Sequence, residues 1–436
     1  MNETPGATLD SPELTPAAYV RTLVYAGLLG IPVAFAAVLF QTASHELMDL
    51  VWDRVPDWFG WSEPADWYVL LVPAVGGALV ALACRLPGHG GHAALDGLSL
   101  GDVRAVDLGS ILLAALLTLG AGLVLGPEAP LVALGVGLGA LAVGLLRVDA
   151  TESRLLVLAG AFAAIAALFG GPLVAAFLLL EMVAKSGMVS ARVIGHALLP
   201  GFVAAGTGAL VWTGIAGWPG LHKEGLDLPV LPAYDTVEIG DLAWCAGLAL
   251  AVAIVVVAAR HAAFRVAVPS RARPELALVV AGLLVGVVAV AFRLVADRPV
   301  DLVLFSGQTE IPALVAESSA GVLLLVVLAK GCAYALSLGS GFRGGPVFPA
   351  IALGTALAAA AADILPGLDV TPAVATGIAA AVAAGLQAPF TAAVLGTLLV
   401  GTAAPDVAPF TVLAAAIGVL AAIALPDPAR SGVAEG

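Results

Sequence analysis

The chain has 436 residues, 61% of them hydrophobic and 11% charged, with a mean hydropathy of +1.06; soluble domains carry roughly 25% charged residues, so this composition excludes a soluble protein and points to a polytopic membrane protein. The formal charge of −13 excludes nucleic acid as a partner. Cys84, Cys245 and Cys332 are odd in number and widely spaced, which excludes a disulfide framework or a metal pair and leaves them as small packing residues.

A membrane-spanning helix needs roughly 20 apolar residues, and the chain supplies many such runs. The tail 1–16 is acidic and lacks the basic region of a cleaved leader. Ala17 to Phe40 reads as the first span, followed by a Trp-bearing amphipathic stretch, His45 to Trp61, expected at the interface, and then by a span from Tyr68 to Leu86. Gly88-His89-Gly90-Gly91-His92 breaks the pattern and reads as the opening of a short or re-entrant helix. Leu108 to Leu125 leads into Leu125-Gly126-Pro127-Glu128-Ala129-Pro130-Leu131, and Leu131 to Leu146 leaves it. Leu155 to Phe169, a Gly170-Gly171-Pro172 break, Leu173 to Glu181 and Val193 to Ile215 complete a first half, 17–216.

The linker 217–239 is polar and carries Pro219, Pro229 and Pro232. The second half, 240–426, opens with Leu242 to Ala259 and a loop, Arg260 to Glu275, whose four arginines assign it to the cytoplasm. Leu276 to Val295 and Gly321 to Leu338 are spans, with Lys330 inside the latter. A second Gly/Pro break covers Gly339 to Pro349, and Val374 to Gly385, Phe390 to Val400 and Phe410 to Leu425 follow. With a tail of only 427–436 after the last span, no appended cytoplasmic domain is expected. The whole of 17–426 is therefore expected to be one membrane domain.

An internal echo links the halves: Phe169-Gly-Gly-Pro172-Leu-Val-Ala-Ala-Phe resembles Leu386-Gln-Ala-Pro389-Phe-Thr-Ala-Ala-Val, with proline breaks at similar distances upstream. Gly/Pro-interrupted helices at matching places in two halves point to a binding site near the membrane midplane. Glu128 is the only charged residue between Ile111 and Leu146, and an acid at membrane depth is costly enough to be a functional candidate. An acid after proline is also an ordinary helix start, but a dry cap is made more cheaply by Ser or Asn.

Glycine-rich breaks release backbone N–H groups at helix starts, which lipid cannot satisfy. Such N–H groups and the positive end of a helix dipole bind an anion without a full charge. Three breaks, at Gly88, Gly126 and Gly344, are expected to converge on one anion. The Glu128 carboxylate would take the anion's place when deprotonated and swing away when protonated or displaced.

At this point the residues resemble a known family. Leu123-Val124-Leu125-Gly126-Pro127-Glu128-Ala129-Pro130 resembles the Gly-Arg-Glu-Gly-Pro motif of CLC chloride channels and proton/chloride antiporters. Gly88-His89-Gly90-Gly91-His92 stands where that family has Gly-Ser-Gly-Ile-Pro, Gly345-Pro346-Val347-Phe348-Pro349 where it has Gly-x-Phe-x-Pro, and Lys330 matches an upstream basic residue. The resemblance covers about Tyr19 to Leu425. It implies an all-α polytopic membrane protein with a CLC-type inverted, antiparallel repeat of tilted and broken helices, assembled as a homodimer with one pore per subunit. It also implies Glu128 as the gate and an anion site from His89, Gly90, Gly126, Glu128, Ala129, Gly345, Val347 and Phe348.

The departures bear on mechanism. His89 replaces a serine facing the anion, His92 replaces a proline, and Pro346 removes one backbone donor, leaving the Val347 and Phe348 amides. By spacing from Pro172, Glu181 is a candidate for the proton path, whereas Met182 falls where antiporters often carry the internal proton-transfer glutamate. No tyrosine follows Tyr334, so the family's C-terminal pore tyrosine has no counterpart. The reading is transmembrane transport of a small anion, chloride first, gated by Glu128 and channel-like because of Met182. The alternatives are a proton-coupled antiporter for chloride or another anion and, remotely, an intramembrane enzyme, against which stands the lack of a nucleophile–base pair or metal-ligand spacing. No cofactor or metal is expected. Arginine-heavy, alanine-rich usage suggests a bacterial inner membrane.

Overall fold

The computed structural model describes residues 14–98, 103–185, 191–215, 218, 228, 231–234, 237, 239–401 and 404–426. The tails 1–13 and 427–436 and most of the linker 217–239 lie outside the described residues.

Helix α1 (Pro16–Asp49) starts behind Thr15, whose hydroxyl accepts from the Ala18 N–H at 3.2 Å, a Ser/Thr cap of the usual kind. A π turn, Leu50–Arg54, carries it into α2 (Val55–Trp58). The first half continues with α3 (Asp66–Ala83), α4 (Leu108–Gly120), α5 (Glu128–Leu146), α6 (Ala150–Phe169), α7 (Pro172–Lys185) and α8 (Ala191–Gly214). The second half is α9 (Ile239–Ser270), α10 (Pro274–Ala296), the short α11 (Ile311–Ala316), α12 (Ala320–Gly339), α13 (Val347–Ile364), α14 (Val370–Leu386), α15 (Pro389–Leu399) and α16 (Ala404–Ala424). Nine helical stretches among the described residues are long and apolar enough to cross a membrane. The molecule is an all-α, multi-pass membrane protein built as an inverted repeat of broken helices.

The repeat is visible in the backbone. Helix α6 stops at Gly170 in the left-handed region (φ 67°) and α7 restarts at Pro172; α14 stops at Gln387 (φ 54°) and α15 restarts at Pro389. Proline opens a helix without losing a needed N–H, so the same device is used twice. Within each half a glycine pair fixes the packing: a Cβ on Gly135 of α5 would run into the Gly160 carbonyl of α6, and one on Gly354 of α13 into the Gly377 carbonyl of α14. Lipid supplies no hydrophobic drive between helices, so this close backbone approach holds them together. Across the halves, α3 and α10 pack antiparallel, with Gly77 against Leu278, Gly282 against Pro73 and Gly286 against Val69.

Three expectations are corrected and one gains detail. The stretch His45 to Trp61 is mostly a helical continuation of α1, within which Trp52 is buried, its Nε1–H donating to the Gly120 carbonyl at 3.0 Å, while Trp58 and Phe59 are exposed. The Gly88 break opens no helix. Gly88, His89, Gly90 and Gly91 all have positive φ (92°, 51°, 70°, 74°), a tight left-handed turn made affordable by three glycines, and among the described residues only the 3-10 turns Ala94–Asp96 and Ala105–Asp107 stand between it and α4. The apolar run Leu108 to Leu125 is helical only to Gly120; Gly122 (φ 78°) turns the chain, and Leu123, Val124 and Leu125 continue fully buried outside any helix. The basic segment from Arg260 is helical as far as Ser270, because nothing before Pro269 breaks α9.

Candidate functional site

Two non-helical segments meet inside the molecule, 121–127 before α5 and 340–346 before α13. Buried irregular backbone must find partners within the protein, and here it does. The Leu123 N–H donates to the Thr118 carbonyl at 3.3 Å and the Val124 N–H to Ser337 Oγ at 3.1 Å. Gly126 and Gly345 then exchange both backbone hydrogen bonds, at 2.8 Å and 2.6 Å, as an isolated antiparallel bridge. On the far segment the Arg343 N–H donates to Thr118 Oγ1 at 3.3 Å, and the Tyr334 hydroxyl donates to the Pro346 carbonyl at 3.0 Å. Ser337 and Tyr334 lie on one face of α12, so this helix holds both segments at once.

The Glu128 side chain folds back over this bridge. It is 1% exposed, and its Oε1 accepts from the Phe348 N–H at 2.6 Å, a short charge-assisted contact. Its Oε2 is buried without a donor. The carboxylate lies against Gly126 and Gly345, where an added Cβ at either position would collide with it. It therefore plugs the N-terminal end of α13, where the helix dipole and free N–H groups favour a negative charge. The Phe348 ring faces Phe169, with centroids 5.7 Å apart.

Gly126, Glu128, Gly345 and Phe348 are thus brought together, with Val347 buried beside them as the first residue of α13. Gly90 and Ala129 instead line a cavity of about 30 Å³ shared with His92, Arg343 and Gly344. The Gly90 N–H is taken by Ser110 Oγ at 3.3 Å. The His89 ring is exposed and its Nδ1 lies 3.3 Å from the Cys84 carbonyl, while its own carbonyl accepts from Arg343 Nη2 at 3.1 Å.

Glu181 sits elsewhere, at the start of α15. Its Oε1 accepts from the Phe390 N–H at 2.7 Å, and its Oε2 from the Thr391 N–H at 3.0 Å and the Thr391 hydroxyl at 2.5 Å. Both oxygens are occupied. Met182 packs on an apolar cluster with Phe162 and Leu178.

Lys330 is fully buried in α12, and its Nζ donates to the Leu304 carbonyl at 2.8 Å, with those of Leu302, Val303 and Phe305 at 3.4–3.5 Å. The loop that wraps it holds Phe305 at φ 60°, and the Phe305 N–H donates to the Gly122 carbonyl at 3.1 Å. Burial raises the Glu310 carboxyl above its ordinary range, and the Lys330 charge opposes that shift. Among the described residues no cluster of His, Cys, Asp or Glu has the makings of a metal site.

Ser337, Thr118, Trp52 and Phe305 support the site and are missed by reading the sequence. Only Ser337 leaves a trace there, standing seven residues after Lys330 and three after Tyr334 on one helical face.

The architecture has known counterparts. A slow cyanobacterial Cl−/H+ antiporter superposes with a TM-score of 0.77 at 18% identity, covering 97% of this chain and 99% of that one. A CLC-type fluoride/proton antiporter gives 0.69 at 18% identity, covering 94% and 96%. A relative from Escherichia coli O17:K52:H18 (strain UMN026 / ExPEC), named "Putative ion-transport protein YfeO", is 30% identical over 343 residues, 76% of each chain. The family model described as voltage gated chloride channel matches residues 89–422. With the broken-helix repeat and the Glu128 motif inside the matched region, the chain belongs to the voltage-gated chloride channel (CLC) family.

Proposed function

We propose that this protein passes small anions, chloride first, along a path gated by the Glu128 side chain. The observation that carries this reading is the Glu128 carboxylate itself: an anionic group seated on the Phe348 N–H at 2.6 Å, at the start of α13, with its second oxygen unpaired. An anion arriving there finds the same N–H group and the same glycine-lined space once the carboxylate leaves. A site made of partial charges holds an ion without trapping it.

Channel-like passage is the favoured mode. The position beside Glu181 is Met182, which packs against apolar side chains, and Glu181 has both oxygens engaged by α15. No free carboxylate is thereby offered at the place where a second proton carrier is expected. Proton-coupled exchange is the second reading, favoured by the unpaired Oε2 of Glu128, which is a site for a proton. In either case the working unit proposed is a homodimer with one path per subunit.

Flux in liposomes decides between them. Purified protein is given a chloride gradient, and chloride and protons are followed together, with Glu128→Gln alongside. Chloride movement without coupled protons supports the channel. Uphill proton movement that follows chloride and disappears in Glu128→Gln establishes exchange instead. If chloride does not move, fluoride, bromide and nitrate are tested in turn, and silence with all four overturns the anion reading.

A further inference from the structure

We propose that the aromatic knob between α2 and α3 binds the primary-ammonium headgroup of an outer-leaflet phospholipid of the phosphatidylethanolamine type, held against the rings of Trp61 and Trp67 and by the carboxylates of Asp57 and Glu63. The site shares no residue with the one around Glu128 and does not depend on which ion passes.

The knob is built around Trp61. The Phe59 ring stacks on it at 5.0 Å with 20° between the planes, Trp67 meets it at 5.4 Å and 89°, and Tyr68 at 5.9 Å and 72°. The group is anchored from beneath, where the Tyr68 hydroxyl donates to the Val51 carbonyl and its ring meets the buried Trp52 at 6.0 Å. Its outer side stays open: Trp58, Phe59 and Trp67 are each more than half exposed. Large aromatic rings left uncovered together, rather than singly, mark a surface that meets a partner. Two indoles at right angles offer a corner of electron-rich faces, which attracts an organic cation.

Charge selects the sign of the ligand. Asp53, Asp57 and Glu63 are exposed, and among the described residues no basic side chain pairs with them. The arginines of this face are engaged elsewhere, Arg54 by Glu46 and Arg298 by Glu317, each at 2.7 Å, and Arg293 by Asp66. The same acids are felt across the loop after α10: burial, then the charges of Asp53 and Glu63, raise the Asp301 carboxyl above its usual range against the pull of Lys330. An anionic headgroup is repelled from such a face and a cation drawn to it.

Depth selects the class of ligand. Trp67 stands in the first turn of α3, whose 18 residues form one span, so the knob lies where hydrocarbon gives way to headgroups. Leu294 and Val295, next to the Arg293–Asp66 pair, are 73% and 74% exposed and mark the adjoining lipid surface. Arg271 and Arg273 lie at the other end of α10, which by the positive-inside rule puts the knob at the outer leaflet. A primary ammonium has three N–H donors, enough to meet Asp57 and Glu63 while it rests on the indoles. A choline group has none.

The test uses the full chain in detergent, titrated with phosphatidylethanolamine, phosphatidylcholine and phosphatidylglycerol of matched acyl chains and read by native mass spectrometry. The wild type is expected to bind the ethanolamine lipid about tenfold more tightly than the glycerol lipid, with the choline lipid between them. Trp67→Leu and Glu63→Gln should each weaken binding of the ethanolamine lipid about threefold, and Arg271→Gln, at the opposite face, should leave it unchanged. Should either variant fail to fold, the wild type alone still decides: in nanodiscs, phosphatidylethanolamine with brominated acyl chains should quench tryptophan fluorescence more than brominated phosphatidylglycerol at the same mole fraction. Equal affinity for the ethanolamine and glycerol lipids, or undiminished ethanolamine-lipid binding in both folded variants, overturns the proposal. Tight binding of a soluble oligolysine peptide, with no preference among the three lipids, also overturns it and gives this face to a basic protein instead.

Discussion

Gly345 and Glu128 fit together so closely that neither position has room for one more atom: a Cβ on Gly345 would overlap Oε2 and come within 2.8 Å of the Glu128 Cβ. On the other side, a Cβ on Gly126 would meet the carboxylate first: its three nearest atoms are Oε2, Cδ and Oε1 of Glu128, the last two at 2.6 Å. The two glycines therefore differ in what they require.

Gly126→Ala is expected to push the carboxylate off its seat, since a side-chain rotation relieves the clash. Its chloride flux should rise toward that of Glu128→Ala. Gly345→Ala collides with a Cβ that no rotation moves, so the segment itself must shift. Its flux should fall, and the double change Gly345→Ala with Glu128→Ala should not restore it. Liposome efflux assays of the four variants check this, and rescue by the double change would refute the packing argument.

Lys330→Met leaves the carbonyls of residues 302–305 without their cation. A buried acceptor stripped of its donor is costly, so a loss of about 3 kcal/mol is expected, read as a lower unfolding midpoint in detergent. Because Phe305 is tied to Gly122, the segment before Glu128 should loosen too, seen as faster hydrogen exchange at residues 121–126. Lys330→Arg should not rescue, as the planar guanidinium does not match a cage shaped for an ammonium.

Glu181→Gln replaces an oxygen that accepts from Thr391 with an amide that can only donate. A loss of about 2 kcal/mol in stability is expected from the uncapped α15. The ratio of proton to anion movement should stay at the wild-type value. A ratio changed by Glu181→Gln at preserved stability would mark Glu181 as a proton carrier after all.

Gly354→Ala and Gly135→Ala both force a methyl group into a backbone carbonyl of the neighbouring helix. Overpacking of this kind costs about 1–3 kcal/mol, more than the helix propensity gained by alanine. Equal losses at the two positions, in thermal unfolding of the solubilised protein, are the expected sign that the repeat uses one contact twice.

Much of the site is legible in the chain. Glu128 stands out because it is a lone acid between apolar runs, and Gly126 and Gly345 because they sit in breaks that lipid would penalise. The joining of those breaks is not legible, since the Gly126–Gly345 bridge is a long-range pairing with no local signature. Periodicity also misreads Leu123 to Leu125: a short buried apolar run looks the same whether helical or extended. The Gly88 turn is misread because glycine frees N–H groups at a helix start and equally permits φ near 70°, and only the surroundings choose. Arg260 and Arg265 look like a loop because charge is taken to mean an end, whereas a helix keeps going until something such as Pro269 and the turn after Ser270 stops it. Arg343 is hidden because its partners are a backbone carbonyl and a hollow.

The Glu128–Phe348 contact joins residues 220 positions apart, and this bears on how the protein is made. While the ribosome is still making the second half, the first half must enter the bilayer carrying an acid with no amide to receive it and a Gly126 with no mate. Until α13 arrives, that half is an immature intermediate exposed to the membrane's quality-control proteases. A chain truncated before residue 347 should therefore be degraded rather than accumulate, and two separately encoded halves should survive only when produced together.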